Sequence, residues 1–193
     1  MELLPAYRRT LSHLADQVGQ VGYDQWAAPT PCPDWDVRAL VNHVVGELYW
    51  SVPLLAGARV AEVGDRFSGD LLGTDPAAVA RDAAAQADRA AGEPGVWDRT
   101  VRLSSGPTSA DEYLHELMAE CLVHGWDLSV AVGSVVRLDP EAVRECARWF
   151  TGRSAGYRSS GLTASEVELP PGADDQARFI AAFGRDPGWR VEA

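Results

Sequence analysis

His43 and His124 each interrupt an otherwise apolar helical pattern, and Glu120 stands four residues before the second of them. Taking an imidazole or a carboxylate into a protein interior is costly unless a partner satisfies it. Residues four apart differ by roughly 40° around a helix, so Glu120 and His124 share a face. Tyr113, Leu117 and Leu128 point in nearly the same direction, which marks that face as inward. On an earlier helix, His43 lies in the apolar stripe of Leu40 and Leu48. Facing helices that aim two imidazoles and a carboxylate at their common interior can hold a divalent metal ion. A His/His/Glu set with the fourth position left to water is a typical catalytic zinc arrangement.

The same residues admit plainer readings. His43 can be a core histidine donating to a backbone carbonyl, and Glu120 with His124 can be a helix pair worth a few tenths of a kcal/mol. Glu47 follows His43 at the same four-residue spacing. It is open to reading as a fourth ligand, a partner behind the ligands, a general base or an exposed carboxylate. Cys32, between two prolines and with only Arg38 as an electropositive sequence neighbour, is expected to be a buried structural cysteine. Cys121 reads as core. Trp35 and Trp126 are expected to pack at the ends of their helices, with Trp126 at a pocket mouth. Asp127, Arg38 and Asp36 are read as a structural ion-pair network. His115 lies about 140° from Glu120 around its helix; it and His13 are read as surface histidines.

The elements that must position these groups follow from periodicity and punctuation. Apolar residues at Leu4, Tyr7, Leu11, Leu14, Val18 and Val21 predict an amphipathic helix over 2–22. Pro29, Pro31 and Pro33 hold the next segment extended. Asp36 is the expected N-cap of a second helix running to about Leu55. The stretch 57–74, rich in Gly and Asp, reads as a loop. Asp75-Pro76 opens a third, Ala-rich helix to about Ala91. Val96 to Leu103 and Val167 to Leu169 read as short strands. Ser109 and Glu112 form a capping box for a fourth helix, which Gly133 stops. Asp139-Pro140 opens a fifth, and the tail beyond Gly152 reads as irregular. The fold class is therefore all-α with minor β: an antiparallel four-helix bundle with an extra C-terminal helix and short strands. One domain over 1–193 is expected, its bundle core at about 2–133 and the C-terminal helix and tail at about 139–193.

Composition narrows the partners. Acidic residues number 28 against 17 basic ones, all of the latter arginine, for a net charge of −11. A chain that repels phosphate lacks the main source of nucleic-acid affinity. Its apolar runs fall well short of a membrane span. The start lacks the basic and apolar regions of a signal peptide, so a cytoplasmic location is expected. Three cysteines without a CxxC pair indicate neither a disulfide framework nor a thiolate zinc site. Bundles of this size often form homodimers, although no seam stands out.

Three blocks carry a resemblance: Pro29-Thr30-Pro31-Cys32 with Trp35, Val37, Arg38, Leu40 and His43; His124-Gly125-Trp126-Asp127-Leu128; and Gly184-Arg185-Asp186-Pro187. Through them the chain resembles the DinB-like, mycothiol-dependent maleylpyruvate isomerase N-terminal-type family of actinobacterial metal-binding proteins. The resemblance implies a four-helix bundle holding a divalent metal, zinc before nickel or another ion, on His43, Glu120 and His124. Many relatives carry Asp at the position of Glu120. It also implies a low-molecular-weight thiol such as mycothiol as co-substrate, and an S-transferase or isomerase acting on a small electrophile. The isomerase has a further C-terminal domain for which this chain leaves too few residues. That weighs against the specific isomerisation and leaves a thiol S-transferase open. The alternative is a non-catalytic metal- or ligand-binding module associated with stress, in which the metal only rigidifies the bundle.

Overall fold

Helix α1 (Leu3–Val18) buries Ala6, Tyr7, Leu11, Leu14 and Val18, the three-and-four recurrence of its sequence. The computed structural model describes residues 3–135 and 137–191, so Glu2 of the expected helix lies outside the described residues. The helix stops at Val18 instead of reaching position 22. Glycines at 19 and 22 weaken its continuation, and the Gln20 and Val21 amides turn back to the carbonyls of Gln17 and Val18. Asp36 caps α2 (Val37–Leu55), accepting from the Ala39 amide at 2.8 Å. A single turn, α3 (Val60–Val63), interrupts the stretch expected to be loop. Then come α4 (Pro76–Ala91), capped by Asp75, and α5 (Ala110–Ala131), capped by Ser109.

These four long helices form the bundle. α1 packs on α4 and α5, and α2 packs on the same two, so α1 and α2 face each other across one diagonal. The small side chains of Ala80, Ala83, Ala84 and Ala87 let α4 approach both neighbours closely. Overfilling such a seam typically costs about 1–3 kcal/mol. Ala83→Leu, at a fully buried position, is accordingly expected to lower the thermal midpoint by several degrees, as calorimetry would register. α5 is buried nearly all round, since α1, α2 and α6 (Pro140–Thr151) cover its different faces. Gly133, at φ +74°, ends it as expected.

Strands and tail depart from the sequence reading in detail. Val96–Asp98 is a 3-10 turn, and the strand is shorter, β1 (Thr100–Leu103), paired antiparallel with β2 (Gly106–Ser109). Val167 to Leu169 is not a strand. No strand lies beside it among the described residues, and it is tied instead by the Val167 amide to the Ala181 carbonyl. The tail is less irregular than its composition suggests, with α7 (Ser154–Ser159) and α8 (Asp175–Ala182). Phe179 and Phe183 anchor it, the Phe183 ring stacking on Phe150 at 4.0 Å. Glu112 does not close the expected capping box; its carboxylate pairs with Arg153. Among the described residues, no helix is long and apolar enough to cross a membrane.

Candidate metal centre

The proline-rich segment before α2 is shaped by hydrogen bonds rather than by regular structure. Thr30 accepts from the Cys32 amide at 3.1 Å and donates to the Trp35 carbonyl at 2.8 Å. The first turn of α2 is completed from the same segment, with the Val37 and Arg38 amides donating to the carbonyls of Ala28 and Trp26. This arrangement lays the Trp35 ring over His43 at 4.5 Å and near His124 at 5.7 Å between centroids.

Beneath that indole the three expected groups meet. Glu120 Oε2 lies 3.0 Å from His124 Nε2 and 3.7 Å from His43 Nε2. The three ligand atoms fall within 4.8 Å of one another. The two imidazoles stand edge to face at 5.2 Å, so their nitrogens converge on the carboxylate without the rings stacking. His124 is 5 % exposed. His43 and Glu120 are about a third open, on the floor of a cleft of about 810 Å³. Glu47, Glu116, Trp50 and Arg185 also line this cleft.

Behind the centre, His124 Nδ1 lies 3.0 Å from Asp127 Oδ2, and Asp127 is wholly buried. Arg185 donates to both Asp127 oxygens, at 3.3 and 3.2 Å, and to Cys32 Sγ at 3.1 Å. Cys32, His124 and Asp127 form a second group with metal-ligand spacing. A guanidinium already occupies the hydrogen-bonding positions of that second group, and a second cation there would be repelled. Among the described residues, no guanidinium is paired with the His43, Glu120 and His124 set in this way.

The electrostatics fit a site built around positive charge. Burial pushes the Glu120 carboxyl up, but the His124 and His43 imidazoles beside it more than offset this and hold it well below the usual carboxylate range. Burial opposes charge on His124, yet Asp127, Cys32 and Glu120 raise its pKa well above the ordinary value. Glu47 is shifted up by burial, an effect that His43 opposes and Glu120 reinforces. Glu116 is pushed up to about 7 by burial and by Glu120 and Glu47 nearby.

Other residues sit differently from their sequence reading. His115 is buried, not at the surface: α6 covers it, its ring stacks on Trp149 at 6.0 Å, and its nitrogens meet the Asp111 carbonyl and Glu145. His13 is exposed, as expected. Cys32 is half-buried at the cleft rather than sequestered, and its electropositive neighbour is Arg185, not Arg38. The expected network of Asp127, Arg38 and Asp36 does not form. Arg38 pairs with Asp70 at the surface and Asp36 caps α2, leaving Asp127 to Arg185. Trp126 is buried away from the cleft, and Trp35 takes the place expected of it. Cys121 is core. Glu116 escaped the sequence reading although it continues the four-residue series through Glu120 to His124. Arg185 had no local signal beyond its Gly-Arg-Asp-Pro setting.

Comparison with known proteins agrees with this architecture. Two crystal structures of a mycothiol-dependent maleylpyruvate isomerase, one of them a mutant, superpose with TM-scores of 0.58 and 0.59 at 18% identity. The superposition covers 74% of this chain and 65% of that protein, a likeness of fold. Two uncharacterised proteins of Mycobacterium tuberculosis are each 30% identical over 191 residues, which is 95% of this chain and 97% of theirs. Residues 7–129 match the sequence model of the mycothiol maleylpyruvate isomerase N-terminal domain. With most of α1, all of α2 and α4 and nearly all of α5 inside that match, the chain belongs to the mycothiol maleylpyruvate isomerase N-terminal domain family.

Proposed function

We propose that this protein is a cytoplasmic, metal-dependent S-transferase or isomerase that uses a low-molecular-weight thiol such as mycothiol to act on a small electrophile. The observation carrying this reading is the convergence of His43 Nε2, Glu120 Oε2 and His124 Nε2 on the floor of an open cleft. Tetrahedral zinc with ligands at about 2.0–2.2 Å places them roughly 3.3–3.5 Å apart. The distances from Glu120, 3.0 and 3.7 Å, bracket that value, so the donor set suits the ion. When bound, zinc would supply a thiol held as thiolate at neutral pH.

The chain's own residues do the remaining work. Asp127 holds the His124 ring so that Nε2 faces Glu120. Trp35 covers the imidazoles and keeps water from their flank. Glu116, with its carboxyl at about 7, can give or take a proton in the cleft near neutral pH.

Elemental analysis of protein purified without added metal tests the reading, with about one zinc per chain expected. Cobalt-substituted protein should then develop a sulfur-to-metal charge-transfer band on addition of thiol. Absence of metal overturns the proposal. Stoichiometric metal that no thiol perturbs supports instead a non-catalytic module in which the ion only rigidifies the bundle.

A further inference from the structure

The Gly184-Arg185-Asp186-Pro187 block lies outside the family match over 7–129, yet it reaches the centre. We propose that Arg185 is a positioning residue for the metal centre: it locks Asp127, which in turn fixes the His124 ring. This inference rests on the reading of His43, Glu120 and His124 as metal ligands.

Asp127 is wholly buried, and an unpaired carboxylate there would be costly. Arg185 answers it with a fork: Nε reaches Oδ1 at 3.3 Å and Nη2 reaches Oδ2 at 3.2 Å. Both oxygens are thereby oriented, and Oδ2 is the atom 3.0 Å from His124 Nδ1. A guanidinium sets the plane of a carboxylate, which a point charge does not. The same Nη2 donates to Cys32 Sγ, so the guanidinium also ties the segment before α2 to α5. One side chain from the tail thus joins two regions remote in sequence.

The backbone is built to deliver it. Gly184 has φ +77°, and a Cβ there would stand 2.6 Å from the Ala164 Cβ and 3.0 Å from the Ala164 carbonyl carbon. A glycine is therefore required at the step where the chain leaves α8 and turns back toward α5. Phe183, stacked on Phe150, pins the residue before it, and Arg185 donates to the Phe183 carbonyl at 3.2 Å. The arginine is held at both ends, with its side chain only 17% exposed.

The test compares Arg185→Gln, Arg185→Lys, Asp127→Asn and the double variant Arg185→Gln/Asp127→Asn by zinc affinity in chelator competition. Arg158→Gln, which cuts the Arg158–Glu166 pair elsewhere in the C-terminal region, is the control. Loss of a group that orients a ligand typically weakens binding by about 10–100-fold. Arg185→Gln should fall in that range, Arg185→Lys should recover part of the loss, and Arg158→Gln should bind zinc normally. The double variant should be no weaker than Asp127→Asn alone, because both changes break one chain of contacts. Losses that multiply, or an unaltered affinity in Arg185→Gln, overturn the proposal. A second readout needs no metal: the slowly exchanging Nδ1 proton of His124, hydrogen-bonded to Asp127, should be visible by NMR in stripped wild-type protein and lost in Arg185→Gln. Its persistence in the variant overturns the positioning role even if the wild type binds no zinc, so that result is separable from failure of the metal reading.

Discussion

Replacing His124 with alanine is expected to abolish stoichiometric zinc binding and, with it, all thiol-dependent turnover. His124 is the most buried of the three groups and the one whose second nitrogen is anchored, so its position is the most fully determined. Its loss should exceed the roughly 10–100-fold that accompanies removal of an outer partner. The fold should survive, because Asp127 keeps the two hydrogen bonds from Arg185 and is not left as a bare buried charge. Circular dichroism and a cooperative thermal transition would check that point. Glu120→Asp, by contrast, keeps an oxygen donor on a shorter arm and should retain a weaker site. An alanine variant at His124 that still holds one zinc per chain would remove the basis for the proposed chemistry.

Stripping the metal is expected to have the second-largest effect. An ion present at about 1,000 times its dissociation constant stabilises the folded state by about 4 kcal/mol. For a chain of this size that corresponds to roughly 8–16 °C in melting temperature. The pH dependence of this difference has a definite sign. Without the ion, His124 and Glu120 pair as imidazolium and carboxylate. The raised His124 value gives stability that is present below its ordinary 6.5 and lost as the pH rises through the folded value. The depressed Glu120 value gives stability that is present above its ordinary 4.5 and lost as the pH falls. The stripped protein should therefore lose stability as the pH rises above 6.5. Zinc needs the unprotonated imidazole, so its affinity grows over the same range. The gap between loaded and stripped melting temperatures should widen from about pH 6 to about pH 8.5 in scanning fluorimetry, with a proton released on binding near neutrality. A gap that narrows over that interval contradicts the assignment.

Much of the molecule is legible from local signals because its helices are marked by local chemistry. Asp36, Asp75, Ser109 and Asp139 cap where their types and spacing predict, each through a backbone amide two or three residues on. The four-residue step from Glu120 to His124 sets their shared face whatever the helix packs against. The tail is harder to read. The α7 and α8 helices are short, and α8 is held by Phe179 and Phe183 against the bundle rather than by its own propensity. His115 defeats a local reading for the related reason that α6 covers its face, which no window along α5 reveals.

The sequence by itself determined the five longest helices, their caps and the shared face of Glu120 and His124, since each depends on residues within one or two turns of one another. Only the tertiary structure decided which partners those groups meet. It brought His43 from α2 to Glu120, laid Trp35 over both imidazoles, and turned Arg185 in from the tail to Asp127 in preference to Arg38. Contacts between residues 58 and 153 positions apart carry no periodic trace in the chain. They exist because α8 docks on α6 and Gly184 lets the backbone double back, and the energy of that docking is spread over the whole core.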